Sequence, residues 1–109
     1  MKKSLNLLGL MTRAGKIVTG EELITKNIQE SKIQLLLIAT DCGNNTKKKL
    51  SDKSEYYKIN KLEYFTIDEI SRAIGRENRV AVGITDSGFS KRLKKLIIEE
   101  GGCIDNGKN

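Results

Sequence analysis

Residues 35–39 read Leu-Leu-Leu-Ile-Ala, the longest uninterrupted apolar run in a chain of 109 residues. A run this short falls far below the roughly 18–20 apolar residues of a membrane-spanning helix. Because apolar side chains point to both faces, the segment is typical of a strand that is covered on both sides. With its flanks it predicts a central strand over residues 33–39.

Helix signals precede this strand. Ser4 stands where it can cap a helix that presents Leu5, Leu8 and Met11 on one face and ends near Gly15. A short extended piece follows at residues 17–18. Thr19-Gly20-Glu21-Glu22 then has the spacing of a capping box, which predicts a second helix running to about residue 30.

Helices and strands continue to alternate after the central strand. The pattern predicts a helix over 46–57, a strand over 62–65, a helix opened by the capping box Thr66-Ile67-Asp68-Glu69 and ending at Gly75, a strand over 80–84, and a last helix ending at Gly101. Such alternation predicts an α/β fold, a three-layer α/β/α sandwich. We expect one domain over residues 1–100 and a flexible, glycine-rich tail over 101–109.

The composition limits the chemistry. Lysine and arginine number 20 against 14 acidic residues, a net charge of +6, and residues 1–60 carry 11 basic and 6 acidic side chains. This asymmetry predicts a basic face for a polyanion. Histidine is absent, which removes the usual general base and most zinc sites, so we expect no metal and no other cofactor. No signal peptide or membrane segment is apparent, and we expect a cytoplasmic monomer.

Three polar loops hold the candidate binding residues. The first covers residues 13–22, with Lys26 one turn further on, and its Gly20 lets backbone N–H groups approach an anion or a base edge. The second, residues 41–49, supplies amide, hydroxyl and lysine groups, and the third, residues 75–80, places an apolar residue behind two arginines. Each loop alone also fits an ordinary solvated surface, and their combination favours a binding site. The candidate binding residues are Lys16, Thr19, Gly20, Glu21, Glu22, Lys26, Asp41, Asn44, Asn45, Lys47, Lys48, Arg76, Arg79 and Val80.

Cys42 is the one candidate nucleophile. It follows the central strand and precedes a helix start, a position where a thiol pKa can fall. Without histidine, its activation would depend on lysines such as Lys47. A thiol packed at the end of a strand is the other interpretation, and the residue pattern favours it.

The order and spacing of these motifs resemble the kink-turn RNA-binding ribosomal protein superfamily, named for the large-subunit proteins L-seven-Ae and L-thirty-e, and its bacterial YlxQ-like branch in particular. The similarity covers about residues 3–100. It is carried by Thr12-Arg13-Ala14-Gly15-Lys16, Thr19-Gly20-Glu21-Glu22-Leu23, residues 35–41, Gly75-Arg76-Glu77-Asn78-Arg79-Val80 and Asp86-Ser87-Gly88-Phe89-Ser90. The resemblance implies a mixed sheet of about four strands and a non-enzymatic protein that binds kink-turns or related bent internal loops.

The resemblance also implies roles for the loops. The helix beginning at Gly20 would enter the widened groove of the RNA, with Lys26 on the backbone, while the loops 41–45 and 76–80 would close over an extruded nucleotide. Strong kink-turn binders carry an Asn-Glu pair that reads tandem sheared G·A pairs, where this chain has Glu22 and Leu23. Leu23 cannot accept a hydrogen bond from guanine, whereas a carboxylate at position 21 or 22 can.

The expected partner is therefore a structured RNA, ribosomal or another non-coding RNA, bound in a ribonucleoprotein. Two alternatives remain. One is a protein–protein adaptor that has kept the fold and lost RNA binding, as Leu23 suggests, and the other is an enzyme that depends on Cys42.

Overall fold

The computed structural model of the protein describes residues 2–102, in which five helices alternate with four strands. The elements are α1 (Lys3–Arg13), β1 (Ile17–Thr19), α2 (Glu21–Gln29), β2 (Leu35–Ile38), α3 (Asn44–Tyr56), β3 (Asn60–Glu63), α4 (Ile67–Ile74), β4 (Ala81–Ile84) and α5 (Ser87–Glu99). Most of the tail expected over 101–109, including Cys103, lies outside the described residues.

The four strands form one mixed sheet in the order β1-β4-β2-β3. β2 and β3 are parallel, and β4 is antiparallel to both of its neighbours. Every residue of the two central strands is buried, as the apolar run at 35–39 predicts. Burial of each Leu or Ile side chain there contributes about 1.5–3 kcal/mol, so these strands anchor the core.

Helices cover both faces of the sheet. α1 packs against α4 and α5, whereas α2 packs against α3. The predicted α/β/α sandwich with a four-stranded mixed sheet is confirmed. None of the helices within residues 2–102 has both the length and the hydrophobicity needed to cross a bilayer.

Two of the predicted helix caps are wrong. α1 begins one residue before Ser4, whose buried hydroxyl lies 2.6 Å from Oε1 of Glu100 and whose backbone N–H donates to Oε2 of the same carboxylate. The start of α1 is thus bonded to an acid 96 residues away. At α2 the N-cap is Gly20, without a side-chain cap, because Thr19 is still paired with Val82 in the sheet. The second capping box, Thr66 with Glu69, is confirmed.

Several element boundaries also differ from prediction, and β2 covers Leu35–Ile38 rather than residues 33–39. α3 begins at Asn44 rather than at residue 46, since Gly43 with extended dihedrals serves as its N-cap. Asn44 and Asn45 are therefore in the first turn of a helix and not in a loop. β3 lies two residues earlier than predicted, because parallel pairing with β2 aligns Leu35 with Asn60 and Ile38 with Glu63.

Candidate nucleic-acid interface

The polar loops predicted to bind a ligand lie together at one end of the sheet. The register places Thr19 opposite Val82, and Ile38 opposite both Ala81 and Glu63. The end of β1, the start of β4 and the ends of β2 and β3 therefore meet at the same edge. The segments that join there are Gly20 with the start of α2, residues 39–43, and residues 75–80, and we call this end the loop edge.

A cleft of about 210 Å³ separates the start of α2 from the last of these segments. Gly20 and Glu21 line one side, and Asn78, Arg79 and Val80 line the other. Gly20 has φ 90° and ψ 131°, a conformation that side chains with a Cβ rarely adopt. This conformation turns the chain from β1 directly into α2, so the first amides of the helix come to lie at the cleft.

Those amides lack acceptors within the helix. The first intrahelical bond runs from the N–H of Ile24 to the carbonyl of Gly20, at 2.9 Å, and no side chain of residues 2–102 caps the helix. The N–H groups of Glu21, Glu22 and Leu23 are thus free to donate to a ligand, at the end of the helix where its dipole favours negative charge.

Arg79 brings a second positive group to the same place. A Cβ built on Gly20 would lie 4.0 Å from its Nη1, and its Nε is buried without a hydrogen-bond partner among residues 2–102. The backbone N–H of Arg79 donates to Oγ of Ser71 at 2.8 Å, which ties the loop to α4. A guanidinium beside a helix N-terminus is electrostatically unfavourable unless an anion or another acceptor lies between them.

A second, wider cleft of about 560 Å³ joins the loops 39–43 and 75–80 and is lined by Asp41, Arg76 and Asn78. Arg76 is exposed. Asp41 has a structural contact as well, since its Oδ1 accepts from the N–H of Ile67 at 2.8 Å and so holds the loop against the start of α4.

The lysines at the start of α3 are paired with acids. Lys47 lies 3.2 Å from Oε1 of Glu63, and Lys48 lies 3.0 Å from Asp52. Lys49 lies 3.4 Å from Glu21, which links α3 to α2. Exposed pairs such as Lys48–Asp52 contribute little to stability, so a phosphate can compete for their lysines.

The outer face of α2 carries a different set of groups. Glu22 and Lys26 are exposed, and neither forms an ion pair with any residue between 2 and 102. Leu23 lies between them with half of its surface exposed (50%). This face combines one free carboxylate, one free ammonium and one apolar side chain.

Lys16 is the one candidate that lies away from the loop edge. It precedes β1, and its carbonyl accepts hydrogen bonds from the N–H and the hydroxyl of Thr85, which follows β4. Lys16 is therefore at the opposite end of the sheet from Thr19, while the other candidates cluster at or beside the loop edge.

Cys42 is 6% exposed, and burial raises the pKa of its thiol, an effect that nearby Lys47 only partly offsets. A raised pKa keeps the thiol protonated and therefore poorly nucleophilic. Its packing fits the interpretation of a thiol at the end of a strand. Among the described residues there is no group of three histidine, cysteine or acidic residues that could hold a metal ion.

Two residues that shape the loop edge, Ser71 and Asn78, are not among the predicted site residues. Ser71 holds the backbone of Arg79 from within α4, and nothing in a local pattern links two residues eight positions apart. Asn78 lines both clefts with φ 53°, a left-handed conformation in which asparagine is favoured over most residues. The sequence signal that could have indicated Asn78 is an asparagine next to an arginine in a polar loop.

The chain is a small α/β/α domain with polar loops at one end of its sheet. Comparison with known sequences shows the family to which it belongs. The chain belongs to the ribosomal protein L7Ae/L30e/S12e/Gadd45 family, which it matches over residues 2–94. It is 46% identical over 96 residues to RNA-binding protein YlxQ of Enterococcus faecium, covering 88% of this chain and 92% of that protein. It is 42% identical over 91 residues to RNA-binding protein YlxQ of Bacillus subtilis strain 168, covering 84% and 91%.

Solved structures agree with this assignment. A protein of unknown function from Bacillus halodurans has a TM-score of 0.84 and 40% identity, and the match covers 90% of this chain and 99% of that one. A 15.5 kD RNA-binding protein of Giardia lamblia has a TM-score of 0.70 over 87% of this chain and 82% of its own. At 16% identity the second likeness supports the fold alone.

Proposed function

We propose that this protein binds structured RNA, at a kink-turn or a related sharply bent internal loop, through the loop edge of its sheet. The observation that carries the proposal is the uncapped start of α2 beside the guanidinium of Arg79, two groups that an RNA phosphate or base acceptor would satisfy together. Relatives named RNA-binding protein at 42–46% identity support the same function. We propose a non-enzymatic, cytoplasmic monomer that acts in a ribonucleoprotein.

In this proposal the groups divide their roles. The amides of Glu21 to Leu23 and the carboxylate of Glu22 face base edges, while Lys26, Arg76, Arg79 and the lysines of α3 contact phosphates. Val80 is partly buried beside the cleft and offers an apolar surface to an extruded base. Bent RNA exposes such bases and a distorted backbone, which a helix end with flanking loops can contact.

Fluorescence anisotropy tests the proposal with a kink-turn RNA and a fully paired duplex of equal length. Four to six phosphate contacts predict a log–log salt slope of roughly −3 to −5. Lys26→Ala should weaken binding to both RNAs, whereas Lys32→Ala, which removes an exposed lysine paired with Glu30 beyond the other end of α2, should not. A flat salt response would refute the mechanism.

The residues at positions 22 and 23 determine which loop is preferred. A double variant, Glu22→Asn with Leu23→Glu, restores the pair that reads tandem sheared G·A pairs in strong kink-turn binders. It should bind the kink-turn more tightly and leave duplex binding unchanged. If the wild type already prefers the kink-turn and Glu22→Asn alone loses that preference, Glu22 itself reads the base.

A protein–protein adaptor is the second candidate, and the exposed Leu23 favours it. An adaptor predicts that Leu23→Ala releases a protein partner in a pull-down treated with RNase. RNA binding instead predicts that RNase removes the co-purifying material and that Leu23→Ala has little effect on it.

A further inference from the structure

The net positive charge of the chain is concentrated in two helices away from the loop edge. α1 and α5 together hold six basic residues and one acidic residue, a balance of +5 in a chain of net charge +6. The other three helices hold six basic and six acidic residues. The charge that predicts a polyanion partner thus lies mainly on α1 and α5, whereas α4, which also packs against α1, has a balance of −1.

The two helices run antiparallel side by side. At one end Ser4 of α1 is hydrogen-bonded to Glu100, directly after α5. At the other end the carbonyl of Lys16, just after α1, accepts from Thr85, just before α5. Contacts at both ends fix the helices as one surface, on the opposite face of the sheet from α2 and α3.

The cations of α5 occupy its solvent face. Lys91, Arg92 and Lys95 are exposed and Lys94 is partly so, while Leu93 and Ile97 are buried on the other side. Lys91 stands three and four positions before Lys94 and Lys95, spacings at which like charges repel and destabilise a helix. No member of this set forms an ion pair with any residue in the range 2–102.

α1 extends the surface. Lys3 and Arg13 are exposed at its two ends, it contains no acidic residue, and Lys16 follows at the end that approaches the start of α5. The position of Lys16, remote from the loop edge, is accounted for if it belongs to this second surface.

The exposed cations of α1 and α5, together with Lys16, form a surface that we call the α1–α5 face. We infer that this face is a second RNA-binding surface that holds the phosphate backbone of a regular RNA helix. The inference rests on the proposed RNA binding and adds a distinct contact to it. Lysines and arginines that pair with no acid among residues 2–102 suit phosphates rather than bases, because the phosphates carry the negative charge of RNA. The loop edge supplies selectivity for a bent loop, and the α1–α5 face supplies sequence-independent attraction to a neighbouring duplex.

The test measures binding of the full chain to a fully paired RNA duplex of about 20 base pairs over a series of salt concentrations. Lys91→Gln with Lys95→Gln removes two central charges. Lys32→Gln with Lys58→Gln removes two exposed charges from the loops that precede β2 and β3, one of them paired with Glu30, and serves as the control for loss of net charge. Lys91→Arg with Lys95→Arg keeps the charge.

Loss of two phosphate contacts should make the log–log salt slope shallower by about 2, so that a fourfold rise in salt weakens the variant about tenfold less than the parent. The arginine variant and the control should keep the parental slope. Equal slopes for the glutamine variant and the control would overturn the inference. Absence of duplex binding by the parent at low salt would overturn it as well.

Failure of the two proposals can be told apart. Equal affinity for kink-turn and duplex RNA would contradict selectivity at the loop edge and leave the α1–α5 contact intact. Vesicles of phosphatidylserine are the competing polyanion. If the glutamine variant loses binding to these vesicles but keeps the parental duplex slope, the partner of this face is not RNA.

Discussion

Replacement of Gly20 by alanine tests how the start of α2 is built. Gly20 has φ 90° and ψ 131°, and a side chain there forces the backbone to keep a conformation that costs about 1–3 kcal/mol. The added Cβ meets only Nη1 of Arg79, at 4.0 Å, which is ordinary contact and adds no steric penalty. The expected loss of unfolding free energy is therefore the backbone strain itself.

Gly43→Ala is the matched control, since Gly43 is also a helix N-cap without a side-chain bond. Its φ of −59° and ψ of 148° suit alanine, and nothing lies within 4 Å of the new Cβ. A smaller unfolded-state entropy favours this variant by about 0.4–1 kcal/mol, which offsets the poorer N-cap preference of alanine. We expect its stability to change by less than about 0.5 kcal/mol.

Urea denaturation followed by circular dichroism compares the two variants. Gly20→Ala should unfold at a lower midpoint with an unchanged slope, and Gly43→Ala should overlay the parent. If both variants lose the same free energy, the left-handed conformation of Gly20 is not what distinguishes the two helix starts, and our account of the cleft fails.

Three further changes probe contacts that position the elements. Glu100→Gln should cost about 1–2 kcal/mol near neutral pH, because its carboxylate accepts from both the amide and the hydroxyl of Ser4. Burial alone would raise the pKa of Glu100, but hydrogen bonds from Ser4 and Tyr64 lower it below the usual 4.5, so the difference should disappear as pH falls through that lowered pKa in urea titrations. Gly83→Ala puts a Cβ 2.5 Å from Cδ1 of Ile33 and should cost about 1–3 kcal/mol in thermal unfolding, partly recovered by adding Ile33→Val. Asp41→Ala should cost about 0.5–2 kcal/mol by loss of the bond to the N–H of Ile67, while Asp41→Asn keeps an acceptor and should cost less.

The local parts of the fold could be predicted because their signals are contiguous. The run at 35–39 indicates a strand buried on both faces, and Thr66 with Glu69 forms the expected capping box. Local patterns fail at Thr19. Residues 19–22 have the spacing of a capping box, but Thr19 pairs with Val82 in the sheet, so Gly20 is the N-cap of α2. Tertiary pairing decided between two locally reasonable helix starts.

Contacts between distant segments could not be predicted. Ser4 is a good N-cap residue by type, yet its hydroxyl binds Glu100 at the other end of the chain. The excess of basic residues in 1–60 predicted a basic face in the first half of the chain. The greatest excess of positive charge instead lies on α1 and α5, which come from opposite ends of the sequence. Only packing of the two helices brings these charges to one surface.

Backbone amide chemical shifts during titration with a kink-turn RNA test the central claim most directly. Binding through the loop edge predicts the largest shifts at the amides of Glu21, Glu22 and Leu23 and at those of Asn78 and Arg79, with smaller changes along α5. Shifts confined to α5, with the start of α2 unchanged at saturating RNA, would contradict the account.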